Sequence, residues 1–222
     1  MDYIKAIENI EKYINENMNI LDFLYPREFE CKYSSIIKCI KNGNNLEELK
    51  KEIETFYRFQ GMDNEKRINL LKLFDNEKDN IKNVDNSNIN ELFNLYNTLL
   101  KKTIKITGKC QYVNTVKLMN LYNQNIPLFD NNVINFLKYL NLPIENRTKE
   151  AYLHLLNIYK LINEHKNIPN ILKLKNKIYS DMEIEYINLN KFVDTLFYFI
   201  NDTDNIEKYK KLCKNKKGQT SA

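Results

Sequence analysis

Apolar residues recur every three to four positions along nearly the whole 222-residue chain, and only four glycines and four prolines interrupt them. A 3.6-residue period is the mark of amphipathic helices, whereas strands need a period of two and frequent turn residues. An all-β chain of this length is therefore excluded, and an all-α body is expected. Ile4, Ile7, Ile10 and Ile14 stripe a first helix, which Pro26 ends. Tyr33, Ile36, Ile37 and Ile40 mark a second, closed by Asn42-Gly43. Leu46, Leu49, Ile53, Phe56 and Tyr57 mark a third that stops at Gly61, and Asp63 caps a fourth through Phe74. Residues 76–88 are polar and weakly periodic, so they read as a loop or a boundary between lobes.

The apolar stripe returns from Ile89 to Leu100 and is interrupted at Gly108. Further helices are expected at Tyr112–Tyr122, from Asp130 to Leu140, over Lys149–His165, Ile171–Tyr179 and Leu189–Phe199, and around Ile206–Leu212. No repeat and no sustained heptad run is present. The reading is one compact, two-lobed orthogonal body of about ten helices spanning 1–222, with residues 214–222 as a frayed tail.

With 43% hydrophobic residues the chain can bury a sizeable core, which argues against disorder. A net charge of +5 is compatible with a nucleic-acid partner without requiring one. Tryptophan is absent, so any aromatic platform for a base must come from the 15 Tyr and 11 Phe. Cys31, Cys39, Cys110 and Cys213 are scattered without a CxxC pair, so they read as reduced thiols and no zinc or iron–sulfur site is expected. The first residues lack a continuous apolar core, and no run of 18 apolar residues exists, so neither a secretory leader nor a membrane span is predicted. A cytoplasmic location is the expectation, and the sequons at Asn146 and Asn201 then carry no meaning.

Phosphate-binding, dinucleotide-binding, zinc-protease and nucleophile-elbow motifs are all missing. His154 and His165 lie 11 positions apart on one predicted helix, about 16 Å of rise, too far to share an ion. Asp181, Glu183 and Glu185 alternate, but without a glycine-bearing turn or a second ligand set. No metal and no cofactor is expected.

One segment stands apart, residues 108–137. Lys117 sits inside an apolar helix beside Val113, Val116, Leu118 and Leu121, and Asp130 follows after a short connection through Pro127. A helix, a tight connection and a carboxylate at the next helix start can bring both side chains to one cleft. Desolvation lowers the pKa of an amine and makes it a usable nucleophile, and a nearby carboxylate can accept its proton or stabilise cationic charge on a sugar. A purely structural account is also available: Asp is among the best N-caps, and a helix-edge Lys can extend its ammonium to water.

The pattern carried by Thr115, Lys117, Leu118, Pro127, Asp130 and Val133 resembles a segment of the helix-hairpin-helix DNA glycosylase superfamily, especially compact members in which a Lys-bearing helix precedes an F-P-h-h-D turn. LNKFVDTLFYF, residues 189–199, is similar to a late helix of those proteins. The family hairpin is glycine-rich, whereas this chain has ITGKCQ with Gly108 alone, and the interval from Lys to Asp is shorter here. The resemblance implies a cleft between two helical lobes that takes a base flipped out of DNA. It implies Lys117 as the nucleophile at C1′ and Asp130 as its assistant, in a glycosylase or abasic-site lyase of DNA repair. It also implies phosphate contacts at the hairpin, through Gly108 and Lys109. Tyr112, Tyr122 and Phe129 are the aromatics placed to stack on the base, and the tail lysines Lys210, Lys211, Lys214, Lys216 and Lys217 are candidates for further phosphates. The alternative is a non-catalytic helical protein that binds another protein or a nucleic acid; an apolar patch without a cleft at Lys117 would mark it.

Overall fold

The computed structural model describes residues 2–57, 59, 62–139, 149–164, 168–180, 182 and 188–200, the side chains of 139, 149 and 199 aside. These residues form eleven helices and no strand. The chain is all-α, as the periodicity requires.

Helix α1 (Tyr3–Leu24) is capped by Asp2, whose carboxylate accepts the Lys5 N–H. Pro26 separates it from α2 (Arg27–Lys41), which ends at Asn42 and at Gly43 with φ +103°. Helix α3 covers Lys50–Tyr57 and starts later than its apolar stripe suggests. The cause is Asp75: its two carboxylate oxygens accept the N–H groups of Leu46 and Glu47 at 2.7 and 3.2 Å, holding those residues in a turn. Asp63 caps α4 (Asn64–Asn76) as expected, through the Lys66 N–H.

Residues 76–88, expected as a loop or lobe boundary, carry the short helix α5 (Lys78–Asn83). Its polar surface hides one anchor, Ile81, which is fully buried and whose carbonyl accepts the Asn123 side-chain amide. Then come α6 (Ile89–Thr107), α7 (Tyr112–Tyr122), α8 (Asn131–Tyr139), α9 (Lys149–Asn163), α10 (Pro169–Tyr179) and α11 (Leu189–Ile200). The last expected helix, 206–212, lies outside the described residues, as do the tail from 214 and the tail lysines.

Helix neighbours sort into two groups. Helix α1 packs on α9 and α10, and α11 packs on α8, α9 and α10. In the second group α4 meets α5, α6 and α7, and α2 meets α3 and α7. Helix α6 against α9 bridges them, and one continuous hydrophobic cluster runs through both. Helices 2 to 7 thus form one lobe, while the other is built from the first and the last described helices. Glu11 on α1 fastens that lobe: its carboxylate accepts the Asn170 and Ile171 N–H groups at 2.7 and 2.9 Å, capping α10 across 159 residues of sequence. No described helix is long and apolar enough to cross a membrane.

Candidate active site

A cavity of about 1090 Å³ opens between the two groups of helices, walled by α2, α3 and the start of α7 on one side and by the start of α8 and α11 on the other. That is ample for a nucleoside-sized ligand. Lys117 and Asp130 both line it.

Lys117 reaches the cavity from the second turn of α7. Beneath it Thr115 is fully buried, with its hydroxyl 3.3 Å from that of Thr103 on α6, so the helix pair is fixed side by side. The Lys117 ammonium lies over the Tyr57 ring, 5.2 Å from its centre, and has no hydrogen bond or ion pair with a described residue. Burial holds its pKa below the ordinary lysine value; Asp130 opposes that shift, and the charge of Lys191 adds to it.

Asp130 stands at the end of a connection that side chains hold in place. The Asn120 amide donates to the Ile126 carbonyl at 2.7 Å and its oxygen accepts the Tyr33 hydroxyl at 2.7 Å. Farther along, the Leu128 N–H donates to Asp194 on α11 at 2.9 Å. Asp130 is 9% exposed, and its Oδ1 accepts the Asn132 and Val133 N–H groups at 3.0 and 3.1 Å. The capping role is therefore real, and it uses one oxygen; Oδ2 has no partner among the described residues. No direct hydrogen bond or ion pair joins Lys117 to Asp130, although the carboxylate is near enough to raise the pKa of the amine.

The other residues singled out from sequence are dispersed. Tyr112 lines the cavity, and its hydroxyl pKa is raised by a hydrogen bond with Cys110. Tyr122 lies elsewhere, bonded through its hydroxyl to Asp75 with Lys82 over its ring. Phe129 is packed against Tyr152 at 5.2 Å between ring centres and does not line the cavity. Gly108 takes the left-handed conformation, φ +71°, and its N–H is committed to the Ile104 carbonyl at 2.8 Å. The Thr107 hydroxyl bonds to both the carbonyl and the N–H of Lys109, so neither Gly108 nor Lys109 offers a free amide for phosphate; the Lys109 side chain remains exposed. His154 is tied to the Tyr3 hydroxyl at 2.8 Å; His165, Asp181, Glu183, Glu185, Cys213 and both sequons lie outside the described residues. Among the described residues no group of three or more His, Cys, Asp and Glu side chains is arranged to hold a metal.

Helix α11, singled out in the sequence only as a segment similar to a late helix of the family, brings two side chains that were not named as site residues. Lys191 and Asp194, three positions apart and the two charged residues of a largely apolar helix, line the cavity and are each only 1% exposed. The Lys191 ammonium sits among the rings of Tyr33, Phe29 and Phe56, at 4.3, 5.4 and 5.9 Å from their centres, which replace part of its lost hydration. Burial lowers its pKa against the pull of Glu30, Asp194 and Asp130. One turn beyond Asp194, Tyr198 is 48% exposed at the cavity wall, its ring parallel to Phe29. The available signal was the pair of charges itself: a charged residue deep in so apolar a stretch is costly unless it is used. Two thiols also face this space, Cys39 on α2 and the exposed Cys110, while the exposed Cys31 does not.

No protein-family model, no curated protein and no solved structure matches this chain.

Proposed function

We propose that the chain is a DNA glycosylase-type enzyme that removes an altered base, with the Lys117 amine as nucleophile at C1′ and Asp130 as its carboxylate partner. One observation carries this reading: a partly desolvated amine with no hydrogen bond or ion pair to a described residue, and a carboxylate using one oxygen as a cap, line the same open cavity. A solvated surface pair would be fully charged and unreactive. Here desolvation favours the neutral, nucleophilic amine, and Asp130 stands ready for its proton or for positive charge on the sugar. Lys32 and Lys51, exposed at the rim, supply cations for the flanking phosphates, and Tyr112 and Tyr198 supply rings on which an extruded base can stack.

Borohydride trapping on duplexes carrying either a damaged base or an abasic site tests the proposal. The expected result is a covalent protein–DNA adduct that is lost in Lys117→Ala. Absence of any adduct with the wild-type chain, or trapping unchanged by Lys117→Ala, would refute the lysine chemistry.

A further inference from the structure

The geometry points to Asp194 as a second catalytic carboxyl of this cavity, the group that delivers a proton to the departing base while Lys117 attacks the sugar. This rests on the proposed reaction, and it is carried by separate observations. Asp194 is pinned on one side only: Oδ1 accepts the Leu128 N–H at 2.9 Å and the Tyr159 hydroxyl at 2.6 Å. Oδ2 is buried with no hydrogen-bond partner, and Asp194 lines the cavity. The neighbouring Thr195 hydroxyl and the Tyr57 hydroxyl across the cavity are likewise buried, lining it and unpartnered. Buried polar atoms left unpaired are costly, and several lining one cavity are the expected preparation for a polar ligand.

Protonation fits the role. Desolvation raises the Asp194 pKa to about 7, against the opposing effects of Lys191, the Tyr159 hydroxyl and the Leu128 N–H. The groups facing it are Lys191 on its own helix, Asp130 ahead of α8, Tyr152 and Tyr159 on α9, Tyr33 on α2 and Tyr57 on α3. Lys191 is the only cation among them, and Asp130 pushes the proton on rather than off. A general acid works best when its pKa lies near the working pH.

The step balances. The neutral Lys117 nitrogen forms a bond to C1′ as the glycosidic C–N bond breaks. The electron pair of that bond leaves with the base, which takes the proton from Asp194 Oδ2. The nitrogen now attached to C1′ sheds its extra proton to Asp130. Two carboxyls thereby divide the work: one accepts a proton at the sugar and the other donates one at the base.

The test uses the full chain and three duplex substrates: one with an abasic site, one with a neutral damaged base, and one with an N7-alkylated purine that departs without added protons. Asp194→Asn is expected to cut excision of the neutral base by about 100-fold or more, to spare excision of the alkylated purine, and to retain trapping at the abasic site. Tyr159→Phe removes a hydrogen bond that lowers the Asp194 pKa, so the alkaline limb of the pH profile for the neutral base should move to higher pH. Equal losses on neutral and alkylated bases, or neutral-base excision unaffected by Asp194→Asn, would overturn the role. If Asp194→Asn does not fold, an unmoved alkaline limb in Tyr159→Phe overturns it. Wild-type trapping at the abasic site with these failures leaves the Lys117 reaction standing; no wild-type trapping removes both.

Discussion

Asp130 shows how one side chain serves structure and chemistry at once. Its Oδ1 closes the first turn of α8, while Oδ2 is left for the cavity. Asparagine keeps a cap oxygen and loses the charge; alanine loses both. Asp130→Asn should therefore unfold in urea close to the wild type yet lose about 100-fold or more in trapping, whereas Asp130→Ala should also lose about 1 kcal/mol of stability. Equal trapping in wild type and Asp130→Asn would reduce the residue to a cap. Lys117 and Asp130 were legible because their spacing across a helix, a turn and a helix start implies a common side. Lys191 and Asp194 were not, because what sets them apart is the tertiary environment: three rings from α2 and α3 around the ammonium, and a wall that leaves one carboxylate oxygen unpaired. Phe129 and Tyr122 were misplaced by the same blindness, since proximity in sequence to Lys117 does not reveal which face of α7, or which layer of the core, a ring will occupy.

Among the elements, the hairpin between α6 and α7 decides how Lys117 is presented. Gly108 ends α6 in a left-handed conformation, with nothing within 4 Å of where a Cβ would stand. Gly108→Ala therefore meets no clash, only backbone strain of about 1 kcal/mol, and should lower the urea midpoint with little change in the fold. A loss several times larger would mean that the hairpin is packed more tightly than this structure has it. Helix periodicity located nearly every element, because a 3.6 period sustained over ten or more residues has few alternatives. It missed α5, a helix of six residues with a single buried anchor, and the late start of α3, which a carboxylate 28 and 29 positions away imposes. The frequent asparagines, uninformative as composition, turn out to tie connections: Asn120 and Asn123 brace the approach to Asp130, and Asn188 and Asn190 lash the start of α11 to Asn125 at 2.7 and 3.1 Å.

On the scale of the whole molecule, the cavity exists because two groups of helices share a core without closing on each other. Its charged side chains come from both: Lys117 from the lobe of helices 2 to 7, Lys191 and Asp194 from the lobe assembled by the two ends of the described chain. Such an arrangement depends on long-range packing and could be anticipated from sequence only as a cleft of unspecified lining. The cysteines give this shape a practical use. Cys110 is exposed and lines the cavity, and Cys31 is exposed but does not line it. A maleimide should modify both in the free protein, while a bound abasic-site oligonucleotide should slow labelling of Cys110 and leave Cys31 as an internal reference; matched protection of the two, or none, would place the oligonucleotide elsewhere. The chain thus carries its own occupancy gauge, readable by mass spectrometry before any substrate has been identified.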